Sequence, residues 1–253
     1  MKPLNSIHSF GRGGISLLDR PSGVSQGRCA FTLIELLVVI AVIALLLGAL
    51  LPALNKAKSL ARNLMCASNM RQFAVALKAY TEENDQRLPP SSCHLSRPQD
   101  YWLNILAEYS DAHLLYRCPS DRSRRFVDWQ KPLDEQDPEL KWSSFAVNSL
   151  IDPKCSYTGG RYNKLSEIRN PRYCIYLCES PDSWTAYDHL HPENWGSIEE
   201  VKGQIAWDRH NGKSNFVFVD GHAETLEIEQ TWEWPGPCLW FPGHAPGWPP
   251  DEE

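Results

Sequence analysis

The sequence predicts an α+β fold in which a long N-terminal helix packs on a small antiparallel sheet. Three observations predict it: an apolar and then amphipathic run that extends to about residue 81, short strand-like segments after residue 144, and an Asp-Gly pair between two alternating segments near the C-terminus. Apolar residues spaced three and four apart are typical of one helix face, and strict alternation is typical of a half-buried strand.

The helix begins in a nearly pure apolar run. Residues 31–51 read FTLIELLVVIAVIALLLGALL, with Thr32 and Glu35 as the two polar side chains. At about 1.5 Å per residue, a helix of this length crosses the roughly 30 Å hydrocarbon core of a bilayer. A cleaved secretory signal has a shorter apolar region, so we expect a membrane-spanning helix over residues 31–52.

Charge is distributed unevenly around this run. Residues 1–30 carry a net charge of +3, which leaves −9 on the rest of the chain. A basic flank is typical of the cytoplasmic side of a membrane helix, so the acidic remainder is expected outside the cytoplasm. An acidic domain would repel phosphates, and no nucleic-acid partner is predicted.

Glu35 is unusual because it places a carboxylate inside the apolar run. A charge within a membrane helix costs a few kcal/mol by insertion scales and needs a partner. One interpretation is that Glu35 lies near the interface and reaches the headgroups. The other is that it neutralises a positive charge on a neighbouring subunit, such as a free N-terminal amine.

The rest of the chain predicts a small mixed domain. An amphipathic helix over residues 53–82 continues into it, with its apolar stripe expected in the domain core. Leu103–Tyr109 is a short helix candidate. Phe145–Leu150 and Tyr173–Glu179 are strand candidates. Asp220-Gly221 predicts a two-residue hairpin turn between strands 215–219 and 222–228. The predicted segments are therefore a leader (1–30), a membrane helix (31–52), an amphipathic helix (53–82), an α+β domain (83–233) and an extended Pro- and Trp-rich acidic tail (234–253).

Phe31-Thr32-Leu33-Ile34-Glu35, followed by the apolar run, resembles the N-terminal signature of type IV prepilins and pseudopilins. The resemblance implies cleavage between Ala30 and Phe31 by a prepilin peptidase, N-methylation of Phe31, and an assembly role for Glu35. It also implies a helix kink at Pro52, because proline removes a backbone donor. The sequence departs from the family in having Ala30 where the family prefers glycine.

The resemblance further implies a structural subunit with no enzymatic activity. Such a subunit would sit in the inner membrane as a single-pass protein with a cytoplasmic N-terminus and a periplasmic domain. It would join a fibre of the type II secretion or type IV pilus kind. Its implied partners are a prepilin peptidase, other pilin-like subunits, an assembly ATPase and an inner-membrane platform. One alternative is a membrane-tethered binding protein for a glycan or protein partner that does not polymerise. A second alternative is a metal-dependent periplasmic enzyme presented on a signal anchor.

A second resemblance lies at the C-terminus. His210 and Asp220-Gly221, separated by nine residues within RHNGKSNFVFVDGHAETL, are similar to a signature of prepilin-type processing-associated proteins. The segment 66–72 (CASNMRQ) and Cys118-Pro119-Ser120 look like landmarks of the same group.

Several polar residues are weak candidates for metal binding. His210, Asp220 and His222 include ordinary ligand types. We favour a turn role for Asp220-Gly221 and a packing role for His210, so no metal is predicted there. A structural calcium bound by Asp220 and loop carbonyls is the remaining possibility, because calcium prefers oxygen ligands. The cluster Asp188, His189, His191 and Glu193 is expected in an exposed loop.

Other residue types carry no predicted chemistry. Among the eight cysteines, Cys93 and Cys118 flank a plausible loop and are the favoured disulfide pair. The tryptophans of the last third can form a stacking surface for sugars, but a core role is favoured. No nucleophile elbow, phosphate-binding loop or HExxH motif occurs, and no catalytic site is predicted.

Overall fold

The structure, a computed structural model, describes residues 31–91, 102–110, 116–128, 137, 139–153, 158–184, 188–232 and 238–243. The predicted leader, residues 1–30, lies outside the described residues. The chain forms two compact units, Met1–Leu50 and Leu51–Glu253. The described part of the first unit, residues 31–50, belongs almost wholly to helix α1.

Helix α1 spans Leu33–Glu83 and contains Pro52 in its interior. Its large apolar side chains are exposed from Leu33 to Leu51. Within the second unit, the predicted stripe is still exposed at Leu54, Leu60, Leu64 and Met65. Burial begins only at Cys66, because that is where the helix face meets the sheet, so the prediction that the whole stripe lies in the core is wrong for residues 53–65. The buried α1 residues are Cys66, Met70, Phe73, Ala74, Ala76, Leu77 and Thr81.

A five-stranded sheet forms the centre of the second unit, and its strands are β1 (Phe145–Asn148), β2 (Ile175–Glu179), β3 (His189–Leu190), β4 (Ser214–Phe218) and β5 (Ala223–Leu226). Their order in the sheet is β3-β1-β2-β4-β5. Three neighbouring pairs, β1–β2, β2–β4 and β4–β5, are antiparallel, whereas β3 pairs parallel with β1. The predicted α+β architecture is confirmed, with a mixed sheet in place of a wholly antiparallel one.

Both faces of the sheet are covered by apolar side chains. Because alternate residues of a strand point to opposite faces, neighbouring residues pack into different core clusters. On one side, Phe145 and Val217 pack with the buried face of α1. On the other side, Ala146 and Phe216 pack with a second apolar cluster that includes Trp240. The three central strands, β1, β2 and β4, are buried at every position.

Two short helices complete the domain. Helix α2 (Trp102–Glu108) matches the predicted short helix within one residue. Helix α3 (Ile198–Gln204) was not predicted, although its N-terminal signal is present in the sequence. Ser197 and Glu200 form a reciprocal capping box, in which each side chain accepts a hydrogen bond from the other residue's backbone N–H.

The β4–β5 hairpin is confirmed, but its turn differs from the prediction. Phe218 N–H bonds to His222 O at 2.9 Å, and Gly221 N–H bonds to Phe218 O at 3.0 Å, so the loop inside the hydrogen-bonded pair Phe218–His222 has three residues, 219–221. Gly221 has φ 86, whereas Asp220 is not among the residues with positive φ. A two-residue turn of the predicted type needs positive φ at both central residues, so the loop takes the three-residue form with one left-handed glycine.

The described part of the predicted tail, residues 238–243, packs into the domain. Trp240 is fully buried, and its backbone carbonyl accepts a hydrogen bond from Asn148 Nδ2 at 2.7 Å. Leu239 O accepts a hydrogen bond from Ile175 N–H at 2.7 Å. The expectation of an extended tail is therefore wrong for these residues, because Trp240 fills space in the second core cluster.

Candidate functional site

The N-terminal end of α1 is closed by a capping box. Glu35 N–H donates to Thr32 Oγ1 at 3.2 Å, and Glu35 Oε2 accepts from Thr32 N–H at 2.9 Å. The Thr32 hydroxyl adds a third hydrogen bond to the same Oε2 at 2.8 Å. These bonds satisfy backbone donors that every helix start leaves without an intrahelical partner. Glu35 thus has a local structural role that the sequence analysis did not consider.

A second constellation lies inside the α+β domain. Cys66 of α1, Cys118 of a loop, Glu179 at the end of β2 and His210 in the turn before β4 bring their ligand atoms within 4.8 Å of one another. All four side chains are buried. His210 is a candidate that the sequence already offered, whereas no site role was predicted for Cys66, Cys118 or Glu179. The signal was partial: both cysteines lie in landmark segments, but their spacing follows no metal-site motif.

The Glu179 carboxylate lies at the centre of this cluster. Its Oε1 accepts a hydrogen bond from the Cys66 thiol at 2.8 Å and lies 2.7 Å from His210 Nε2. Cys118 Sγ lies 3.6 Å from the same Nε2 atom.

A surrounding layer of polar groups orients these side chains. His210 Nδ1 lies 2.8 Å from Asn63 Oδ1, one helical turn before Cys66. Glu179 Oε2 accepts hydrogen bonds from the Ser214 hydroxyl at 3.1 Å and from Asn215 N–H at 2.9 Å. Ser120 N–H donates to Cys118 Sγ at 3.4 Å. Each of the three groups is therefore held in place from outside the cluster.

The acid–base properties of the cluster are strongly coupled. Burial lowers the pKa of His210, but its hydrogen bonds with Cys118 and Glu179 outweigh this and raise the pKa to about 9. Burial raises the pKa of Glu179, but the hydrogen bond and charge of His210 outweigh this and lower the pKa to about 2. The cluster therefore favours a positive charge beside the Glu179 carboxylate.

The pKa values of the two thiols are shifted in opposite directions. Burial, together with Cys118 and Glu179, raises the pKa of Cys66 far above its ordinary value. Burial also acts to raise the pKa of Cys118, but hydrogen bonds from Cys66 and His210 lower it to about 7. Cys118 is therefore the thiol that ionises more easily.

The pair Cys118–His210 has the residue types of a nucleophile and its base, with Asn63 behind the imidazole. A catalytic thiolate must meet its substrate, and reactive cysteines are partly exposed. Cys118 is fully buried and His210 is 4 % exposed. Burial therefore argues against a nucleophilic role.

A comparison with known protein families bears on the N-terminal segment. A family model described as the prokaryotic N-terminal methylation motif matches residues 26–51. The chain carries a prepilin-type methylation motif. No curated protein and no solved structure matches the chain. The motif indicates a prepilin-like protein that prepilin peptidase processes, and together with the apolar helix it indicates a membrane-anchored, extracytoplasmic protein.

The residues of the implied processing site are only partly described in this prepilin-like chain. Ala30 lies outside the described residues. Phe31 is exposed and directly precedes Thr32 of the capping box. Pro52 lies within α1, which continues on both sides of it.

The three weak metal candidates of the prepilin-like chain do not assemble as a group. His210 joins the buried cluster, whereas His222 stays in the hairpin turn. There His222 Nδ1 lies 2.5 Å from Asp220 Oδ1, and its ring stacks on Phe218 with centroids 4.2 Å apart. The carboxylate of Asp220 also accepts a hydrogen bond from His222 N–H at 3.1 Å. Its described contacts are those of a turn residue.

The His-rich segment is more buried than expected. Asp188 and His189 are buried, and His189 belongs to β3, so the expectation of an exposed loop is wrong for these two residues. The Nε2 atoms of His189 and His191 lie 3.1 Å apart, and each Nδ1 faces a carboxylate, that of Asp188 at 3.0 Å and that of Glu193 at 2.8 Å. The parallel pairing of β3 with β1 draws this segment into the sheet.

The described cysteines and tryptophans of the α+β domain are buried in the core or packed against it. Cys118 is a free thiol, which contradicts the predicted bond to Cys93, a residue outside the described part of the chain. The core interpretation of the tryptophans is confirmed for Trp195, Trp232 and Trp240, which are buried in one cluster. Those three rings are therefore not part of a sugar-stacking surface.

Proposed function

We propose that this prepilin-like protein is a pseudopilin-like structural subunit that assembles through its N-terminal helix. Prepilin peptidase would cut between Ala30 and Phe31 and methylate the new amine. The mature chain would then join a fibre of the type II secretion or type IV pilus kind. The family match to residues 26–51 supports the processing step.

The exposed apolar surface of α1 is the observation that carries the assembly step. Large apolar side chains remain exposed from Leu33 to Met65. At 1.5 Å per residue this stretch measures about 50 Å, whereas the hydrocarbon core of a bilayer is only about 30 Å thick. Lipid alone therefore does not cover all of it. The helices of neighbouring subunits supply the remaining cover in a helical bundle.

The charge pattern along α1 fits a helix that is covered partly by lipid and partly by neighbouring helices. Between Leu51 and Met65 the helix also carries Lys56, Lys58 and Arg62. Basic side chains with long apolar stems suit the membrane surface, where the stem packs and the charge meets the headgroups. The apolar residues among them, Leu54, Leu60 and Leu64, are then available to a neighbouring helix as the subunit leaves the bilayer.

Glu35 supplies the specific contact in this proposal. Both hydrogen bonds from Thr32 go to Oε2, so Oε1 of the same carboxylate still presents lone pairs. The methylated amine of Phe31 on the adjacent subunit would bind there as a charge-assisted hydrogen bond. This contact offsets the cost of holding a carboxylate at membrane depth.

The remaining partners follow from the same proposal. The leader and its basic residues would stay in the cytoplasm, with the acidic domain in the periplasm. An assembly ATPase and an inner-membrane platform would drive extrusion. Calcium has no role in this proposal, and neither does catalysis.

The decisive test is the N-terminal mass of the full chain isolated from native membranes. We expect a mature chain that begins at N-methylated Phe31, and an uncut chain in an Ala30→Lys variant. An intact leader in the native protein would overturn the processing step. A processed chain that is never recovered in sheared fibres would instead support the membrane-tethered binding protein that does not polymerise.

A further inference from the structure

We propose that Cys66, Cys118, Glu179 and His210 bind one structural zinc ion that joins helix α1 to the sheet. The inference concerns the folded domain and does not depend on fibre assembly. Thiolate, imidazole and carboxylate are the three ligand types that zinc takes in proteins. Among the described residues, these four form the group of His, Cys, Asp and Glu side chains that can hold an ion.

The distances in the cluster are close to those of a tetrahedral site. Bonds of about 2.3 Å to sulfur and about 2.0–2.1 Å to nitrogen or oxygen place ligand atoms roughly 3.3–3.8 Å apart. Cys118 Sγ and His210 Nε2 are already 3.6 Å apart. Glu179 Oε1 lies closer, at 2.7 Å from His210 Nε2 and 2.8 Å from Cys66 Sγ, as suits atoms that share protons. Withdrawal of Oε1 by less than about 1 Å brings these pairs into the tetrahedral range.

The outer hydrogen bonds are those that metal ligands use. A ligating histidine typically donates its second N–H to an oxygen, which fixes the tautomer and leaves the other nitrogen free to bind the ion. His210 does this with Nδ1 and Asn63 Oδ1 at 2.8 Å, so Nε2 points into the cluster. Glu179 is held at Oε2 by Ser214 and Asn215, which leaves Oε1 as the ligand oxygen.

Charge also favours a cation at this place. Two thiolates and one carboxylate carry three negative charges, and burying them without a compensating cation is costly. A divalent ion neutralises two of these charges. Arg209, whose buried guanidinium pairs with Asp121 at 3.5 Å and with Asp182, adds positive charge close to Glu179 and Cys118.

The site is of the closed, structural kind. Four protein ligands complete a tetrahedral shell, whereas catalytic zinc sites keep one position for water or substrate. The ligands come from α1, a loop, β2 and the turn before β4, four regions far apart in sequence. An ion that binds them together stabilises the folded domain, because the unfolded chain has no preformed site.

A disulfide between Cys66 and Cys118 is the competing fate of these thiols in an oxidising compartment. It would use the same two sulfur atoms and remove two of the four zinc ligands. It leaves Glu179 and His210 as a simple buried ion pair. The two alternatives differ in metal content and in chain mass, so one preparation distinguishes them.

The test uses the full chain, extracted from membranes in detergent without chelators. Metal analysis should find about one zinc ion per chain, and peptide mass mapping should find Cys66 and Cys118 as free thiols. Replacement by Co²⁺ should give the charge-transfer absorption of cobalt bound to thiolate. A chain that takes up no zinc from added ZnCl₂, or whose mass is lower by the two hydrogens of a Cys66–Cys118 disulfide, would overturn the proposal.

Variants then assign the ligands. We expect Cys66→Ser to weaken zinc binding more than about 100-fold, since outer-shell changes alone cost 10–100-fold. Cys178→Ser is the matched control: Cys178 is equally buried and adjacent to Glu179, but it belongs to the opposite core cluster. Equal zinc content in both variants would contradict the assignment. If Cys66→Ser does not fold, the zinc content and cobalt spectrum of the native chain still decide the question.

Discussion

His210 and Asn63 connect the C-terminal signature to helix α1, with Nδ1 of the imidazole 2.8 Å from Oδ1 of the amide. At the other end of β4, the turn at Gly221 approaches the same helix: a Cβ built there would lie 3.4 Å from Ala74 O. The nine residues between His210 and Asp220 include the whole of β4. Their spacing therefore lets one strand contact α1 at both of its ends.

The contact to Asn63 leads to the first prediction. In Asn63→Leu the imidazole loses the oxygen that sets its tautomer, so zinc affinity should fall about 10–100-fold. Competition with a chelating dye measures the zinc affinity of each variant. Asn55→Leu, an exposed position earlier on α1, is the control and should bind zinc normally. Equal affinities in the two variants would argue against a positioning role for Asn63.

The buried ion pair beside the cluster leads to the second prediction. Lys141 Nζ lies 2.9 Å from Asp121 Oδ2, with side chains 2 % and 0 % exposed. Lys141→Met removes the ammonium partner of this buried carboxylate, which keeps Arg209 Nη2 at 3.5 Å, and should lower the free energy of unfolding by about 1–3 kcal/mol. Arg125→Met breaks the exposed pair with Asp137 and should cost no more than about 1 kcal/mol. Urea unfolding followed by tryptophan fluorescence compares them, and similar losses would contradict the burial argument.

Two neighbouring glycines give the third prediction. Gly159 and Gly160 both have positive φ, 60 and 71, so alanine at either position should cost about 1–2 kcal/mol from the backbone alone. A Cβ at Gly160 would also lie 2.2 Å from Pro153 O, whereas a Cβ at Gly159 meets nothing within 4 Å. Gly160→Ala should therefore be the more destabilising change by about 1–3 kcal/mol in the same unfolding assay. Equal free energies of unfolding for the two variants would mean that the loop moves away from the added methyl group without loss of stability.

The fourth prediction separates the two roles of Glu35. Glu35→Leu removes a charge from the apolar helix, so membrane insertion should persist or improve, but incorporation into sheared fibres should be lost. Thr32→Val removes the cap hydroxyl while keeping the carboxylate and should retain incorporation. Quantifying each variant in the fibre fraction against the membrane fraction is the measurement. The same loss in both variants would indicate that Glu35 acts only as a helix cap.

Local patterns in the sequence were sufficient for α1, α2, β1, β2 and the β4–β5 hairpin, but β3 was not predicted. Each of these predictions depends on residues that are close together in the chain. They are the apolar run from Phe31, the strand segments that contain Asn148 and Glu179, and the turn glycine Gly221. A helix or a hairpin makes its hydrogen bonds within a short stretch, so its period is visible in the sequence. The capping box of α3, formed by Ser197 and Glu200, is also a local pattern, although no helix was predicted there.

The sequence by itself determined that this chain has a membrane-type helix with a methylation motif and an α+β domain. Only the tertiary structure decided that Cys66, Cys118, Glu179 and His210 meet in one buried cluster. It also decided where the stripe on α1 becomes buried and that Trp240 belongs to the core. The physical reason is that such contacts join residues far apart in the chain, and no local period specifies which faces of two elements pack together.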